Sequence, residues 1–341
     1  MIATERRGFE LEENDDTGEG PSARGADAAG EGFAFIVGHR KSGSTWLLNL
    51  LSLHPDVRGV METAAFEIAW EQEDVVARTA KLFSHTPWSK GGGLRATASH
   101  RMTHWAAPLL KHRKPALSLP RADRPSELPD LSLLDRRRLK RRLAGVADPV
   151  EYCRRFYLFL RDRLEPGRYL LEKSPSNVHQ VAHIRAVFPA AKLVVIYRDG
   201  RDVVVSDRFF TAEHLGQPFS YAAAVEGWRR DMEAHLLYAQ TERLYACSYE
   251  ALLADGPPVV ERLLDHLGLG RDDALVASMI DRASFRFYAG RERGQEDRKR
   301  FYRKGIAGDW KNHFSADDRR IFKDIAGDML VTLGYEKDLD W

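Results

Sequence analysis

Apolar positions along this chain fall into two kinds of run. Short runs rich in β-branched and aromatic residues recur at 33–37, 57–61, 169–172, 192–197 and 243–248. Runs of this length read as strands, and the continuous one at 192–197 reads as a central strand covered on both faces. Between them, apolar residues recur at helical spacing over 46–53, 64–83, 152–164, 178–188, from Val203 onward, 219–240 and 258–267. This alternation predicts an α/β fold, a central parallel sheet flanked by helices.

Two stretches break the alternation. Residues 1–31 are acidic, rich in Gly, Ala and Ser, and offer nothing to bury, so a disordered tail is expected there. Residues 84–149 hold Trp88, Trp105, glycines at 91–93, several prolines and the basic run Arg136 to Arg142. This stretch reads as a helical or irregular insertion that lids the site or shapes an acceptor pocket, within one domain over 32–341. The basic run suits a solvated helix face or an acidic acceptor.

Candidate chemistry starts where the first strand meets the first helix. Gly38 to Gly43 form a glycine-bearing loop, and Ser44-Thr45 open the helix. Strand, glycine loop and helix N-terminus bind phosphate, because unpaired amides and the helix dipole both favour an anion. Ser42, Ser44 and Thr45 add hydroxyls, and Lys41 adds a full charge. The nucleoside-triphosphatase loop, G-x-x-x-x-G-K-[ST], places its lysine after the second glycine. Here Lys41 precedes Gly43, which moves the charge to a different part of the ligand.

Composition narrows the class. The 52 basic and 50 acidic residues leave a formal net charge of +2, but basic residues crowd 95–163 and 282–304. Segregated charge with little net excess argues for local anion sites and against general nucleic-acid binding. Two cysteines, Cys153 and Cys247, supply neither a disulfide framework nor a metal spacing. The start lacks the apolar core of a signal peptide and no later run suits a bilayer span, so a cytoplasmic enzyme is expected.

Further site candidates lie at strand ends, where open α/β sheets bind ligands. Glu62 follows the second strand, as a functional carboxylate or a solvated loop acid. Arg198 follows the strand at 192–197, and Ser206 stands in the first turn of the next helix. Both could reach one phosphate, since Arg offers a forked donor set. An ion pair of Arg198 with Asp199 or Asp202 is the alternative. The charged segment 291–300 leads into Arg303-Lys304-Gly305, which reads as a mobile basic loop closing over an anion.

Three separated segments together resemble the sulfotransferases that use 3′-phosphoadenosine 5′-phosphosulfate (PAPS). Arg40-Lys41-Ser42-Gly43-Ser44-Thr45-Trp46 resembles their 5′-phosphosulfate loop, K-S-G-T-T-W. Arg198 through Ser206 resembles the 3′-phosphate segment R-x-P-x-D-x-x-x-S, with Gly200 in place of proline. Arg303-Lys304-Gly305 through Gly308-Asp309-Trp310-Lys311 resembles R-K-G-x-x-G-D-W-K of the cytosolic branch. The resemblance implies a P-loop-type fold, PAPS as donor, 3′,5′-ADP as product, no required metal and a hydroxyl acceptor. It assigns the 5′-phosphosulfate to Lys41 and the amides of Ser42 to Thr45, and the 3′-phosphate to Arg198 and Ser206, closed over by Arg303, Lys304 and Gly305. Trp46 and Phe285 resemble the aromatic pair around adenine, and Tyr249 the adenine-edge contact; Trp46 also suits the core of its helix.

The base is assigned by the same resemblance. The K-T-H context of small-phenol enzymes is absent, and His85, His100 and His104 stand in other surroundings. His54 to Thr63 resembles the glycan and tyrosyl-protein branches, whose glutamate there is the base, and Glu172-Lys173-Ser174-Pro175 resembles their E-K-T-P segment. Glu62 is thus the expected base, with Lys173 supporting and Lys41 assisting the leaving phosphate. The acceptor stays open among a glycan, glycolipid or natural product hydroxyl and a phenol, and no oligomeric state is implied. A kinase or NTPase, or a non-catalytic nucleotide-binding protein, is the rival reading.

Overall fold

The computed structural model describes residues 32–85, 131–164 and 169–341. The acidic segment 1–31 and residues 86–130 of the insertion, including Trp88, Trp105, His100 and His104, lie outside the described residues, as do Pro166 and Gly167.

Five strands form one parallel sheet in the order β2-β3-β1-β4-β5: β1 Phe33–Gly38, β2 Val57–Met61, β3 Tyr169–Lys173, β4 Lys192–Tyr197 and β5 Leu244–Ser248. All six residues of β1 are buried, as befits the middle strand of a sheet covered on both sides. Its register sets Phe35 opposite both Glu172 and Leu193. Chain order switches sides at β1, so the loops after β1, β3 and β4 open into one crevice at the carboxyl edge.

Side-chain alternation divides the core. Phe33, Phe35 and Val37 face one cluster, supplied by α2 (Ala65–Glu71), α5 (Pro149–Leu164) and α6 (Val181–Val187). Here the Phe33 ring stacks on Phe188 at 4.2 Å, and each such buried ring contributes about 1.5–3 kcal/mol. Ala34 and Ile36 face the other cluster, with α1 (Ser44–Leu51), α10 (Gly256–Leu267) and α11 (Asp273–Arg282). A third cluster around Trp228 and Phe322 ties together α7 (Gly200–Phe210), α8 (Tyr221–Thr241) and α13 (Ala316–Thr332).

Several elements differ from the periodicity reading. The helix expected over 64–83 is two, α2 and α3 (Val75–His85). Asp74 accepts the Ala77 amide, and buried Arg78 donates to the Gln72 carbonyl, so local polar bonds outweigh the apolar period. Residues 175–179 form a 3-10 turn before α6. α7 begins at Gly200, not Val203, because Asp199 caps the Arg201 amide. A short helix α9, Tyr249–Ala254, stands capped by Ser248 where only a strand end was read. Residues 131–149 of the insertion carry α4 (Leu133–Leu143), whose buried face is Asp135, Leu139 and Leu143 while the arginine run points outward. α12 (Phe285–Ala289) precedes the charged segment. Cys153 and Cys247 are both buried and unpaired. No helix among the described residues is long and apolar enough to cross a membrane.

Candidate functional site

The loop after β1 has the backbone its sequence requires. Lys41 and Gly43 take left-handed φ values of 66° and 95°. Gly43 is the N-cap of α1, no side chain caps that helix, and no acid stands in its first turn. A Cβ on Gly43 would lie 2.7 Å from Tyr249 Cδ2, so glycine is needed for space as well as conformation. The first amides of α1 are thus left to an anion.

These residues open onto a cleft of about 880 Å³. Lys41, Gly43, Ser44, Thr45 and Trp46 line it from the loop, Arg198 and Ser206 from β4 and α7, and Tyr249, Phe285, Arg303, Lys304 and Gly305 from farther along the chain. Twelve sequence-selected residues separated by up to 264 positions therefore meet in one cavity. Two other residues of the loop stand outside its lining. Arg40 turns to Asp207 at 2.6 Å, and Ser42 is buried, its Oγ without a hydrogen-bond partner.

Charge in the cleft is concentrated. The Lys41 ammonium lies 4.2 Å from the Phe210 ring centre and 4.6 Å from that of Phe301. Burial foremost, opposed by Asp207 and reinforced by Arg40 and Arg198, lowers its pKa from 10.5 to about 7. The Arg198 guanidinium lies 4.4 Å from the Tyr249 ring centre and donates to the Ile306 carbonyl at 2.8 Å. It also pairs with Asp202 at 3.3 Å, so the ion-pair reading of Arg198 describes part of its surroundings, yet its buried Nε is unpartnered. Arg303 and Lys304 each meet Asp309 at 2.6 Å, and Arg303 also pairs with Glu296. Although burial alone would raise it, the Lys304, Arg303 and Asn312 hydrogen bonds hold the Asp309 carboxyl well below the usual range.

The apolar wall comes from rings. Trp46 donates Nε1–H to the Ala283 carbonyl at 2.8 Å, which orients its half-buried indole edge-on to Tyr249 at 5.5 Å. Gly305 packs on Phe285, whose ring an added Cβ would overlap.

Glu62 and Lys173 stand beside this cleft, not in its lining. Lys173 Nζ meets Glu62 Oε1 at 2.6 Å; the lysine side chain is 1% exposed and the carboxylate 36%. Glu62 has φ 52°, and its charge is felt at the Lys41 ammonium. Adjacent Glu172 is wholly buried; burial raises its carboxyl to about 7 against hydrogen bonds from Ser174 and Thr63.

Sequence reading missed Tyr288, Arg293, Tyr302 and Ile306 as lining residues. Arg293 sits 5.5 Å from the Trp46 ring and belongs to the charged segment, the one signal that pointed there. It also missed Asp231, which receives His39 at 2.6 Å and His179 at 2.8 Å and ties the phosphate loop to α8. No group of three His, Cys, Asp or Glu residues placed to hold a metal ion occurs among the described residues.

Comparison with known proteins places the chain in a family. The model of the sulfotransferase family matches residues 34–273. Guinea pig (Cavia porcellus) 3-beta-hydroxysteroid sulfotransferase is 28% identical over 170 residues, 44% of this chain and 58% of that protein. Human (Homo sapiens) sulfotransferase 2A1 is 23% identical over 43% of this chain and 59% of that protein. The chain thus spans under two thirds of the length of these curated relatives. The sulfotransferase domain of the Synechococcus PCC 7002 olefin synthase shares the fold, with TM-score 0.53, 20% identity, and 90% of this chain and 98% of that chain covered. The chain belongs to the sulfotransferase family.

Proposed function

We propose that this member of the sulfotransferase family moves a sulfuryl group from PAPS to a hydroxyl acceptor, releasing 3′,5′-ADP, with Glu62 as general base. The observation that carries the reading is the meeting, in one cleft, of the loop 41–46, Arg198 with Ser206, and Arg303 to Gly305. The residues fit a nucleotide with phosphate at both ends. Uncapped amides and Lys41 stand at one end, and buried unpartnered Nε atoms of Arg198 and Arg303 at the other. The Trp46 and Phe285 rings flank the space between for a base, with Tyr249 at its edge.

When bound, PAPS supplies the sulfuryl group and a phosphate leaving group. The chain's own residues position and neutralise. The amides of Gly43 to Thr45 and the protonated Lys41 hold the 5′ end, where negative charge grows as the bond to sulfur breaks, while the Ser42 amide donates to the His39 carbonyl at 3.3 Å. Arg40, held by Asp207, adds positive field behind the loop. Arg198 and Ser206 fix the 3′-phosphate, and Arg303, Lys304 and Gly305 close on it. Glu62 accepts the proton of the attacking hydroxyl, and Lys173, 2.6 Å away, orients that carboxylate. The rings at Phe210 and Phe301 shield Lys41 from water, which strengthens its action on the phosphate.

For the acceptor, the likeness of 54–63 and 172–175 to glycan-type enzymes supports a glycan, glycolipid or natural-product hydroxyl. The names of the curated relatives add a hydroxysteroid. The insertion over 84–149 is proposed to shape that acceptor's pocket, and 32–341 to form the catalytic domain. The test is transfer of radiolabel from [35S]PAPS to a panel of glycan, steroid and phenol acceptors in EDTA. Labelled sulfate ester is expected. Phosphate transfer from ATP that EDTA abolishes, with none from PAPS, would establish the kinase reading instead.

A further inference from the structure

The end of β2 is strained in a way that the phosphate loop does not explain. Glu62 and Ala64 both take left-handed φ values, 52° and 51°, and neither is glycine. Such geometry persists only where the surroundings over-determine it. Thr63, between them, is wholly buried. Its amide donates to Glu172 Oε1 at 3.2 Å and its hydroxyl to the same oxygen at 3.1 Å. With the Thr63 proton committed to Glu172, Tyr157 donates its hydroxyl to Thr63 Oγ at 2.9 Å, and the Ala65 amide donates to that Oγ at 3.4 Å. Glu172 is fixed in turn by Ser174 at 2.6 Å and Asn177 at 3.0 Å. The Glu62 amide continues the ladder to the Lys173 carbonyl at 2.8 Å.

We propose that Thr63 and Glu172 are positioning residues for the reaction: a buried clamp that holds the strained turn and so aims the Glu62 carboxylate toward the acceptor. Successive residues of β3 divide the work. Glu172 faces the side of Leu170 and grips the turn, while Lys173 faces the side of Leu171 and grips the carboxylate itself. A pair of adjacent side chains thus fixes both the backbone and the tip of Glu62. The inference rests on Glu62 being the base.

The test compares Thr63→Val, which removes the hydroxyl at constant shape, with Thr63→Ser, which keeps it, in the full chain. Amide hydrogen exchange over 62–65 is expected to speed at least about tenfold in Thr63→Val and to stay near wild type in Thr63→Ser. The 3′,5′-ADP dissociation constant should stay within about twofold in both, which shows that the fold and cleft persist. With [35S]PAPS and a 3β-hydroxysteroid as acceptor probe, kcat should fall about tenfold to a hundredfold in Thr63→Val alone, with the PAPS KM unchanged. Unchanged exchange and kcat in Thr63→Val, in a protein that Glu62→Gln inactivates, would overturn the clamp. Full activity of Glu62→Gln would instead overturn the base, leaving the exchange result to judge the clamp alone.

Discussion

The two sides of the cleft are built on different principles. On the front side, the loop 38–46, Glu62 and Lys173 sit at the ends of β1, β2 and β3, and sheet backbone sets their places. On the back side, Arg198, Arg303 and Lys304 are held by two buried aspartates. Asp202 receives the Gly308 and Trp310 amides at 2.7 and 2.8 Å as well as Arg198, and Asp309 gathers Arg303, Lys304, Asn312 and His313. Backbone-built geometry resists change and suits the reacting groups. Charge-built geometry responds to ligand, pH and substitution, and suits a segment proposed to exchange carboxylate partners for phosphate.

Substitutions should therefore separate the sides. The largest effect is expected at the front: Glu62→Gln should cut turnover about 10²–10⁴-fold while leaving 3′,5′-ADP binding intact, a split that steady-state kinetics with parallel calorimetry reads directly. At the back, Arg198→Leu should do the reverse and weaken 3′,5′-ADP by about 1.5–3 kcal/mol, the worth of hydrogen bonds to a charged group. Asp309→Asn should lower stability by about 1–3 kcal/mol in thermal or urea unfolding at neutral pH, because Arg303 and Lys304 lose their common partner. The sign follows from the lowered Asp309 pKa. Its contribution is complete above the usual carboxylate range and disappears as pH falls through the folded value, so the gap between variant and wild type should close in acid. The smallest effect crosses between the sides through Lys41. With its pKa near 7 in the free protein and an anion favouring the charged form, binding takes up a proton above neutrality. Affinity for 3′,5′-ADP should fall by up to about tenfold per pH unit above 7, and Lys41→Arg should flatten that slope.

What was readable from the chain divides differently, between local patterns and distant partners. The strands, the loop and the three segments that line the cleft are local patterns, and the bounds of β2 and β4 agree with the apolar runs at 57–61 and 192–197. What stayed hidden depends on partners far apart in sequence. Glu172 and Thr63 are 109 positions apart, Asp202 and Trp310 108, and His39 and Asp231 192. In the sequence Asp202 stands only as a possible partner of Arg198 and Asp309 only as part of a motif, because nothing in their neighbours signals that both are buried to 1% exposure. The break at Gln72 to Asp74 was hidden for a related reason: a single arginine, Arg78, tied to the Ala147 carbonyl at 2.8 Å, outweighs the helical period around it.

On the proposed reading the back side recognises a 3′-phosphate while the front side holds the 5′ end. Calorimetric titration with 3′,5′-ADP, 5′-AMP and ATP in EDTA tests it most directly. The account predicts micromolar binding of 3′,5′-ADP and a loss of at least about tenfold with 5′-AMP, which offers Arg198 and Arg303 nothing to hold. Equal binding of the two nucleotides, or tight binding only of ATP with magnesium restored, would contradict it.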